Sequence, residues 1–315
     1  MNPPPAKCTS ETCSASSDRP RPLILGISLA AILLMWSLNY FAAKIALRHM
    51  DPLSLAVLRI PLAALITLPI YLLQPSRTPF RARDLWTFTY LGFFGVIINQ
   101  GGFTIGLSQT TSEHAVVIMA LGPVLVLILA RALKLEALTV AKVLGMAVCS
   151  VGAVVLETEY GYPARSPLLT GDLITLASIV GFAICAVLGK RVVQGFDAVS
   201  MNTYLLMVSA VLVLPLAVWQ GTHLDWISVG WAGWAGIFYM AGVSTVAAYT
   251  IFYWVLRYLE PSRVAAVNYV QPVIVISLSV PFLGEHPSWH LLSGGALVLT
   301  GVYLAERKPL SRGRG

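Results

Sequence analysis

The sequence predicts an all-α integral membrane protein, with ten transmembrane helices in two inverted five-helix repeats and both termini in the cytoplasm. Three observations lead to this prediction. Hydrophobic residues make up 57% of the 315 residues and charged residues only 11%, too little charge to cover the surface of a soluble protein. Apolar runs long enough to cross a bilayer follow one another along the chain. The second half of the sequence also repeats the first.

Ten apolar runs fill nearly the whole chain between two polar tails. Each run is long enough to cross about 30 Å of hydrocarbon as a helix. The loops between the runs are too short to hold a soluble domain. The predicted helices are Leu23–Leu47, Leu53–Leu73, Leu85–Leu107, Ala115–Ala132, Leu138–Leu156, Leu173–Gly189, Val199–Trp219, Trp231–Leu256, Val264–Phe282 and Trp289–Leu304.

These runs divide the chain into five parts. Residues 1–21 are polar and rich in Pro and Ser, so we predict a disordered cytoplasmic tail. Residues 22–156 form the predicted first five-helix repeat, residues 157–170 an outer loop, and residues 171–304 the second five-helix repeat. Residues 305–315 form a predicted basic cytoplasmic tail.

Basic residues determine the predicted orientation. With the N-terminus in the cytoplasm, all but four of the 21 Lys and Arg residues lie in cytoplasmic segments, the exceptions being Lys44, Arg48, Arg59 and Arg165. Cytoplasmic loops of membrane proteins carry such an excess of positive charge. The same bias accounts for the net charge of +7. The expected partner is therefore the lipid bilayer of the plasma membrane and not nucleic acid, and no oligomeric state is predicted.

The four cysteines indicate neither a disulfide framework nor a metal site. Cys8 and Cys13 lie in the polar tail, whereas Cys149 and Cys185 lie in apolar runs. No pair has the spacing of a zinc site, and no histidine is near them in sequence. We expect four free thiols, no metal and no cofactor.

The chain contains an internal repeat. A shift of 149 residues places Pro123 on Pro272, and a shift of 146 residues places Lys44 on Lys190. We attribute the difference between the two shifts to the loop between the second and third helices of each repeat. A repeat of five helices crosses the membrane an odd number of times, so its second copy must enter the membrane from the opposite side. Such inverted repeats are typical of secondary transporters, which give alternating access to a central site.

Short motifs in both halves are similar to the EamA-type module of the drug/metabolite transporter superfamily. The motifs are Trp36-Ser37 followed by Lys44, Pro52 with Arg59, Pro123 with Glu136, and Pro272 with Leu283-Gly284-Glu285. The similarity covers the chain apart from its tails, as two tandem modules. It implies a ten-helix carrier that moves small metabolites, often amino acids, usually outward. The second module has Phe182 where the first has a tryptophan and Leu205 where the first has an arginine, so only the first supplies an intramembrane arginine.

Polar side chains within the apolar runs indicate a binding cavity. Such groups are costly in hydrocarbon, so we expect them to face the interior of the bundle. The same pattern also fits hydrogen bonds between helices. The side chains predicted to bind the solute are Trp36, Asn39, Tyr40, Arg59, Gln100, Thr104, Tyr249, Tyr253, Asn268 and Gln271.

Helical periodicity and the repeat extend this prediction. Gln100, Thr104 and Ser108 recur every four residues and are expected to share one face. The shift of 149 residues relates Gln100 to Tyr249, so both are expected to face the central pathway. Val96 is expected to face lipid.

Two prolines and two lysines have alternative interpretations. Pro123 and Pro272 are predicted to kink their helices, which either frees carbonyl groups for the cavity or only shapes the bundle. Lys44 and Lys190 are interpreted as anchors at helix ends rather than as ligands.

Arg59 also has two interpretations. Its guanidinium could pair with an anionic group of the solute, since it matches a carboxylate well. Alternatively it has a structural or gating role, in which it snorkels outward or pairs with Asp51, Glu113 or Glu285. The sequence favours the structural role and leaves both open.

The acidic residues bear on the class of solute. All 14 Asp and Glu residues lie in tails, loops or helix ends, whereas a proton-coupled drug antiporter needs a titratable group within the membrane. This distribution argues against export of cationic drugs by proton exchange. The resemblance implies a secondary transporter that exports small polar metabolites such as amino acids. The alternatives are a carrier for multidrug or toxic-compound efflux, a non-transporting membrane receptor and an intramembrane enzyme. An enzyme would need a nucleophile with a base, or metal ligands, at membrane depth, so no catalytic residues are predicted.

Overall fold

A computed structural model describes residues 20–110, 115, 118–157, 169–283 and 289–306 of the chain. All regular secondary structure in these ranges is helical, which confirms the predicted all-α fold. Residues 1–19, most of the predicted outer loop and residues 307–315 lie outside the described ranges. The predictions for the two tails and the outer loop therefore stay predictions.

The described helices follow the predicted apolar runs. They are α1 (Pro22–Leu47), α2 (Pro52–Leu73), α3 (Ala82–Gln109), α4 (Gly122–Ala132), α5 (Val140–Glu157), α6 (Leu169–Val192), α7 (Ala198–His223), α8 (Gly230–Tyr258), α9 (Gln271–Leu283) and α10 (Trp289–Glu306). Six of them, α1, α2, α3, α6, α7 and α8, are long and apolar enough to cross a membrane. The chain is therefore a multi-pass membrane protein, while ten crossings and cytoplasmic termini remain predictions.

An aspartate caps the second helix of each repeat. Asp51 precedes Pro52, and its side chain accepts a hydrogen bond from Ser54 N at 2.9 Å. Asp197 accepts one from Ser200 N at 2.9 Å in the same way. Each carboxylate satisfies a backbone N–H group that the first turn of a helix leaves unpaired. These equivalent caps fix where α2 and α7 begin.

α2 and α7 pack antiparallel, because each places its final glutamine against the capped start of the other. Gln74 Nε2, just after α2, donates to Asp197 Oδ1 at 3.0 Å. Gln220 Nε2, in the last turn of α7, donates to Asp51 Oδ1 at 3.1 Å. The two contacts join equivalent positions with the direction of the chain reversed. This is the arrangement that the predicted inverted repeat requires.

Asp197 also binds the segment that follows α2. Its Oδ2 accepts hydrogen bonds from Thr78 N at 3.0 Å and from Thr78 Oγ1 at 2.9 Å. Burial alone would raise the pKa of this carboxyl, but hydrogen bonds from Ser200, Thr78 and Gln74 outweigh burial and lower the pKa to about 2. Asp197 is therefore ionised at physiological pH.

Glycines let α5 and α10 pack closely. A Cβ atom added at Gly152 would lie 2.8 Å from the carbonyl oxygen of Gly294, and one added at Gly301 would lie 2.6 Å from that of Gly145. The shift of 149 residues relates Gly145 to Gly294 and Gly152 to Gly301, so the contact is symmetric. Helix packing in a membrane depends on such close approach, because lipid supplies no hydrophobic driving force between helices.

Lys44 and Lys190 bind helix ends in equivalent ways. Lys190 Nζ donates to Leu256 O, in the last turn of α8, at 2.6 Å. Lys44 Nζ donates to Leu107 O, near the end of α3, at 3.5 Å. The unpaired carbonyl groups at the end of a helix favour a cation. Both lysines are therefore anchors at helix ends.

α3 and α8 each contain a π-helical segment of nine residues, Phe93–Gly101 and Tyr239–Ala247. The two segments begin 146 residues apart. The α-helical part that follows has eight residues in α3 and 11 in α8. The difference between the two repeat shifts therefore lies in the second half of the third helix, and not in the preceding loop as predicted. When the two π segments are aligned, Gln100 is equivalent to Val246 rather than to Tyr249.

The two prolines mark breaks in their predicted helices. α4 begins at Gly122 and α9 at Gln271, so Pro123 and Pro272 lie at equivalent places in the first turn. Before α9, the chain forms a short α-helical segment, Pro261–Ala265, and then a 3-10 turn. The predicted helices over 115–132 and 264–282 are therefore interrupted, because each proline fits the start of a helix but not its interior.

A buried ion pair joins the ends of α4, α5 and α8. Lys142 Nζ lies 2.8 Å from Glu136 Oε2 and 2.6 Å from Glu260 Oε2. Glu136 Oε1 also accepts a hydrogen bond from Ser262 N at 2.9 Å. The Glu136 side chain is fully buried, so it depends on Lys142 for compensation of its charge.

Replacing Asp197 by alanine should destabilise the protein by about 1–2 kcal/mol, because α7 loses its cap and α2 loses its partner. Thermal unfolding of the detergent-solubilised protein, followed by tryptophan fluorescence, measures the effect. The depressed pKa means that the folded state resists protonation, so the stabilisation is present above the ordinary carboxyl pKa. The deficit of Asp197→Ala should therefore stay constant from pH 7 to about pH 5 and shrink as the pH falls from about 4 toward 2.

Asp225→Ala provides the control for this effect. Within the described residues, the Asp225 side chain accepts hydrogen bonds from its own turn alone, from Ile227 N and Ser228 N, and it is exposed. Its replacement should change the melting temperature little at any pH. An equal loss of stability in both variants would contradict a special role for Asp197.

Replacing Gly152 by alanine should destabilise the protein by about 1–3 kcal/mol, because the new methyl group meets the backbone of α10. Gly301→Ala should cost a similar amount, since it is the equivalent contact. Gly26→Ala is the control, because no atom lies within 4 Å of a Cβ there and alanine favours a helix. Melting temperatures of Gly152→Ala and Gly301→Ala that equal that of Gly26→Ala would show that α5 and α10 are not in close contact.

Candidate solute-binding cavity

A cavity of about 460 Å³ lies among helices of both repeats. The cavity is lined by Trp36, Asn39, Tyr40, Arg59, Asn99, Gln100, Phe103, Met119, Phe182, Ser244, Tyr249, Asn268 and Gln271.

Eight of the ten side chains predicted to bind the solute line this cavity, and Thr104 and Tyr253 do not. Thr104 has no exposed surface and contacts Arg59. Tyr253 lies one turn beyond Tyr249, where its hydroxyl is 3.6 Å from Cys185 Sγ. The structure therefore brings most of the set together, and binding of the solute by these residues stays a prediction.

The sequence does not predict five of the lining side chains. Phe103, Met119 and Phe182 are apolar, and nothing distinguishes them from other side chains in apolar runs. Ser244 lines the cavity and offers its carbonyl oxygen to Trp36. Asn99 is polar and directly precedes Gln100, so its polarity is a signal that could have identified it.

Arg59 is buried, with 2% of its surface exposed. It donates hydrogen bonds from Nη1 to Thr104 Oγ1 at 3.2 Å and from Nη2 to Gln100 Oε1 at 3.0 Å and Thr245 Oγ1 at 2.9 Å. All three acceptors are neutral, and Nε is buried without a hydrogen-bond partner in the described part of the chain. A guanidinium has five N–H donors, so part of its capacity is unused.

The structure tests two parts of the structural interpretation of Arg59, namely an ion pair with an acidic residue and snorkelling to the surface. Asp51 binds Gln220 at the end of α7 and does not contact Arg59. Glu113 and Glu285 lie outside the described residues. Among the residues that the structure describes, Arg59 forms no ion pair. The side chain also does not snorkel to the surface, since it is buried.

A hydrogen-bond network around Arg59 joins the two repeats. Thr245, in the π segment of α8, donates from Oγ1 to Gln100 Oε1 at 2.9 Å and accepts from Arg59. Gln100 lies in the π segment of α3. A side chain from α2 therefore binds the equivalent π segments of both repeats.

Aromatic rings form one wall of the cavity. The ring of Trp36 lies 5.2 Å from that of Tyr249 and 5.9 Å from that of Phe182, measured between centroids. Trp36 Nε1 donates to Ser244 O at 3.3 Å, which fixes the plane of the indole. Such a wall suits an apolar group or the flat face of a cation.

Asn99 positions the hydroxyl group of Tyr249. Asn99 Nδ2 donates to Ser178 O at 3.0 Å, which leaves its Oδ1 as the acceptor for Tyr249 Oη at 2.7 Å. Ser178 Oγ donates in turn to Asn99 O at 2.8 Å. Tyr249 is thereby held in place against Trp36.

Besides Arg59 Nε, three polar atoms of the lining residues have no hydrogen-bond partner in the described part of the chain: Asn39 Oδ1, Tyr40 Oη and Asn268 Oδ1. Buried polar groups are nearly always paired, with protein or with ordered water. These atoms are therefore available to the polar groups of a bound molecule.

Two predictions about the faces of α3 are wrong. Ser108 is exposed and donates to Ile105 O at 2.7 Å, away from the cavity. Val96 is only 2% exposed, so it packs within the bundle and does not face lipid. Ser108 lies in the α-helical part of α3, next to its last residue, so its side chain is at the end of the helix and not beside the cavity. Val96 precedes Gln100 by four residues, so helical periodicity itself places Val96 on the buried face.

The described residues contain no group of three or more His, Cys, Asp or Glu that could hold a metal ion. Cys149 and Cys185 are free and buried. The cavity thus offers one positive charge, hydrogen-bonding groups and aromatic surface, which suits reversible binding of a small molecule.

Two stretches of the chain, residues 23–158 and 169–306, match the model of the EamA-like transporter family. The chain belongs to this family. The match confirms the similarity predicted from the short motifs, including its two tandem modules. This EamA-like protein is therefore a membrane transporter of a small-molecule solute, and not an enzyme.

Named relatives cover nearly the whole chain. An uncharacterized transporter of Archaeoglobus fulgidus is 27% identical over 285 residues, which cover 90% of this chain and 98% of that protein. A probable amino-acid metabolite efflux pump of Salmonella typhimurium is 24% identical over 298 residues, which cover 89% and 93%. A solved crystal structure with 19% identity superposes with a TM-score of 0.71 over 91% of this chain, which supports the fold.

Cysteine substitutions at Asn39 and Asn268 should react with a water-soluble thiol reagent, because both positions line the cavity. The four native cysteines are first replaced by alanine, and labelling is followed by mass shift. Val211→Cys is the control, since Val211 is 68% exposed on an apolar helix. A thiol surrounded by lipid does not form the reactive thiolate, so it should label far more slowly. Rates for Asn39→Cys and Asn268→Cys as low as the control would show that water does not reach the cavity.

Proposed function

We propose that this EamA-like transporter exports small polar metabolites that carry a carboxylate, such as amino acids, across the plasma membrane. The observation that carries the proposal is Arg59, a buried cation at the cavity with neutral partners and no ion pair among the described residues. Burying a charge is costly unless an opposite charge or strong hydrogen bonds compensate it. A carboxylate on the solute would supply the missing negative charge and accept the unused N–H groups.

The other lining groups favour an amino acid over a simple acid. The unpaired oxygens of Asn39 and Asn268 can accept hydrogen bonds from an ammonium group. Trp36 and Tyr249 provide a flat surface for a side chain. The amino-acid metabolite efflux named for the Salmonella typhimurium relative supports the same class of solute and the outward direction.

Alternating access in the proposed mechanism uses the two repeats as the moving parts. The antiparallel contact of α2 with α7, and the bonds from Arg59 to both π segments, support a ten-helix bundle of inverted repeats with the site at their interface. The positive charge of the cytoplasmic segments supports cytoplasmic termini. The solute would break the contact of Arg59 with Thr245 as it binds, and so link its occupancy to movement between the repeats.

Efflux of cationic drugs is less well supported. A cation-binding cavity needs a negative group, and no carboxylate is among the lining residues of the described chain. The aromatic wall alone could hold a cation, but Arg59 would repel it.

Replacing Arg59 by lysine should lower transport of a carboxylate solute by about ten- to a hundredfold, because an ammonium cannot replace the charged hydrogen bonds of the planar guanidinium. Arg59→Ala should be at least as defective. The purified variants are reconstituted into liposomes, and counterflow of labelled amino acids is compared with that of the matching amino alcohols, which lack the carboxylate. Wild type should prefer the amino acids.

Arg48→Lys is the control, because Arg48 is exposed at the end of α1 and does not line the cavity. It should transport like wild type. Size-exclusion profiles show whether each variant is folded. If folded Arg59→Lys transports amino acids at the wild-type rate, or if wild type moves amino alcohols equally well, Arg59 does not bind a carboxylate.

A further inference from the structure

A second cavity of about 940 Å³, here called the side groove, opens on the flank of the bundle. It lies between the N-terminal half of α1, the start of α7 and the C-terminal half of α8. It shares no lining residue with the central cavity. The side groove is therefore separate from the proposed solute site.

The walls of the side groove are apolar and face outward. Ile27 on α1 is 61% exposed, and Ala31, Ile251 and Trp254 continue the surface. α1 is also the least buried of the six long apolar helices. In a membrane protein, an apolar surface of this kind contacts acyl chains.

Polar groups gather at one end of the side groove, where three helices end. Arg257 lies in the last turn of α8, Gln74 just after α2 and Asp197 at the start of α7. Gln74 and Asp197 are hydrogen-bonded to each other. Helix ends lie at the level of lipid headgroups, so this end of the groove is at the membrane interface.

Two of these polar groups, Arg257 and Gln74, have unused capacity for a ligand. Arg257 is partly exposed, and within the described residues its guanidinium forms no ion pair. Gln74 Oε1 is buried and has no hydrogen-bond partner among those residues. Asp197 accepts bonds at both of its oxygens and adds a negative charge. The end of the groove thus presents one cation, one anion and one free acceptor.

We propose that the side groove binds phosphatidylethanolamine. Arg257 binds the phosphate, because a guanidinium matches phosphate oxygens well. The ammonium group of the headgroup donates to Gln74 Oε1 and lies beside the Asp197 carboxylate. One acyl chain follows Ile27 and Ile251, and Trp254 packs at the headgroup level, as tryptophan commonly does at membrane interfaces.

The charges of the groove favour this lipid over phosphatidylglycerol. Both lipids offer a phosphate to Arg257, but only phosphatidylethanolamine carries a cation to compensate Asp197. A headgroup with net negative charge would meet the Asp197 carboxylate without compensation. The proposal therefore concerns a preference between headgroups, and not only attraction of lipid to a basic protein.

Native mass spectrometry of the full-length protein in detergent tests the proposal. The protein is titrated with phosphatidylethanolamine or phosphatidylglycerol of identical acyl chains, and apparent affinities are taken from the bound fractions. Wild type should bind phosphatidylethanolamine more tightly. Arg257→Gln should weaken binding of both lipids by about tenfold, as expected for loss of a charged hydrogen bond. Gln74→Leu should remove most of the preference for phosphatidylethanolamine while both lipids still bind.

Arg191→Gln is the matched control, because Arg191 is an exposed arginine near a helix end that lies outside the side groove. Its lipid binding should equal that of wild type. Arg257→Lys covers the case in which Arg257→Gln does not fold, and it should bind more weakly than wild type. Equal binding by folded Arg257 variants and wild type, or tighter binding of phosphatidylglycerol than of phosphatidylethanolamine by wild type, would overturn the proposal.

Discussion

The hydrogen bonds of Arg59 hold the central cavity together. A guanidinium keeps its charge at any physiological pH, and this one lies among neutral oxygens contributed by α3 and α8. Gln100 and Thr245 would be costly in hydrocarbon by themselves, and Arg59 satisfies both. The bundle therefore surrounds a site that lacks one negative charge, and the aromatic wall and free amide oxygens are arranged around that site.

Hydropathy predicts most of the fold, because a membrane restricts the chain to long apolar helices. The internal repeat also leads to the antiparallel pair of α2 and α7, whose Asp and Gln contacts follow from equivalent residues. The sequence does not reveal where the backbone changes its hydrogen-bond pattern. The π segments and the break before Gly122 depend on packing between helices, which hydropathy and periodicity do not describe.

The site is predictable where a polar side chain stands out against an apolar background. Asn39, Gln100 and Asn268 are of this kind, and all line the cavity. Phe182 and Met119 line it too, but apolar lining cannot be distinguished in an apolar sequence. Periodicity predicts which face of a helix a side chain occupies, but not how far along the helix axis the cavity extends. Tyr253 therefore shares the face of Tyr249 and yet lies outside the cavity, in contact with Cys185. Periodicity likewise places Ser108 on the face of Thr104, but Ser108 lies at the end of α3 and is exposed.

The α-helical parts that follow the π segments of α3 and α8 differ by three residues, which has a consequence for the energetics of the proposed transport cycle. Two repeats of identical sequence could exchange conformations and give the same structure turned over, so the inward-open and outward-open states would have equal free energies. Gene duplication starts from such a balance. Here the second repeat has Leu205 at the position equivalent to Arg59, and Phe182 at the position equivalent to Trp36. The α-helical part after the π segment has eight residues in α3 and 11 in α8. In the proposed alternating-access cycle, the two states therefore differ in free energy, and the protein prefers one orientation before any solute gradient acts on it.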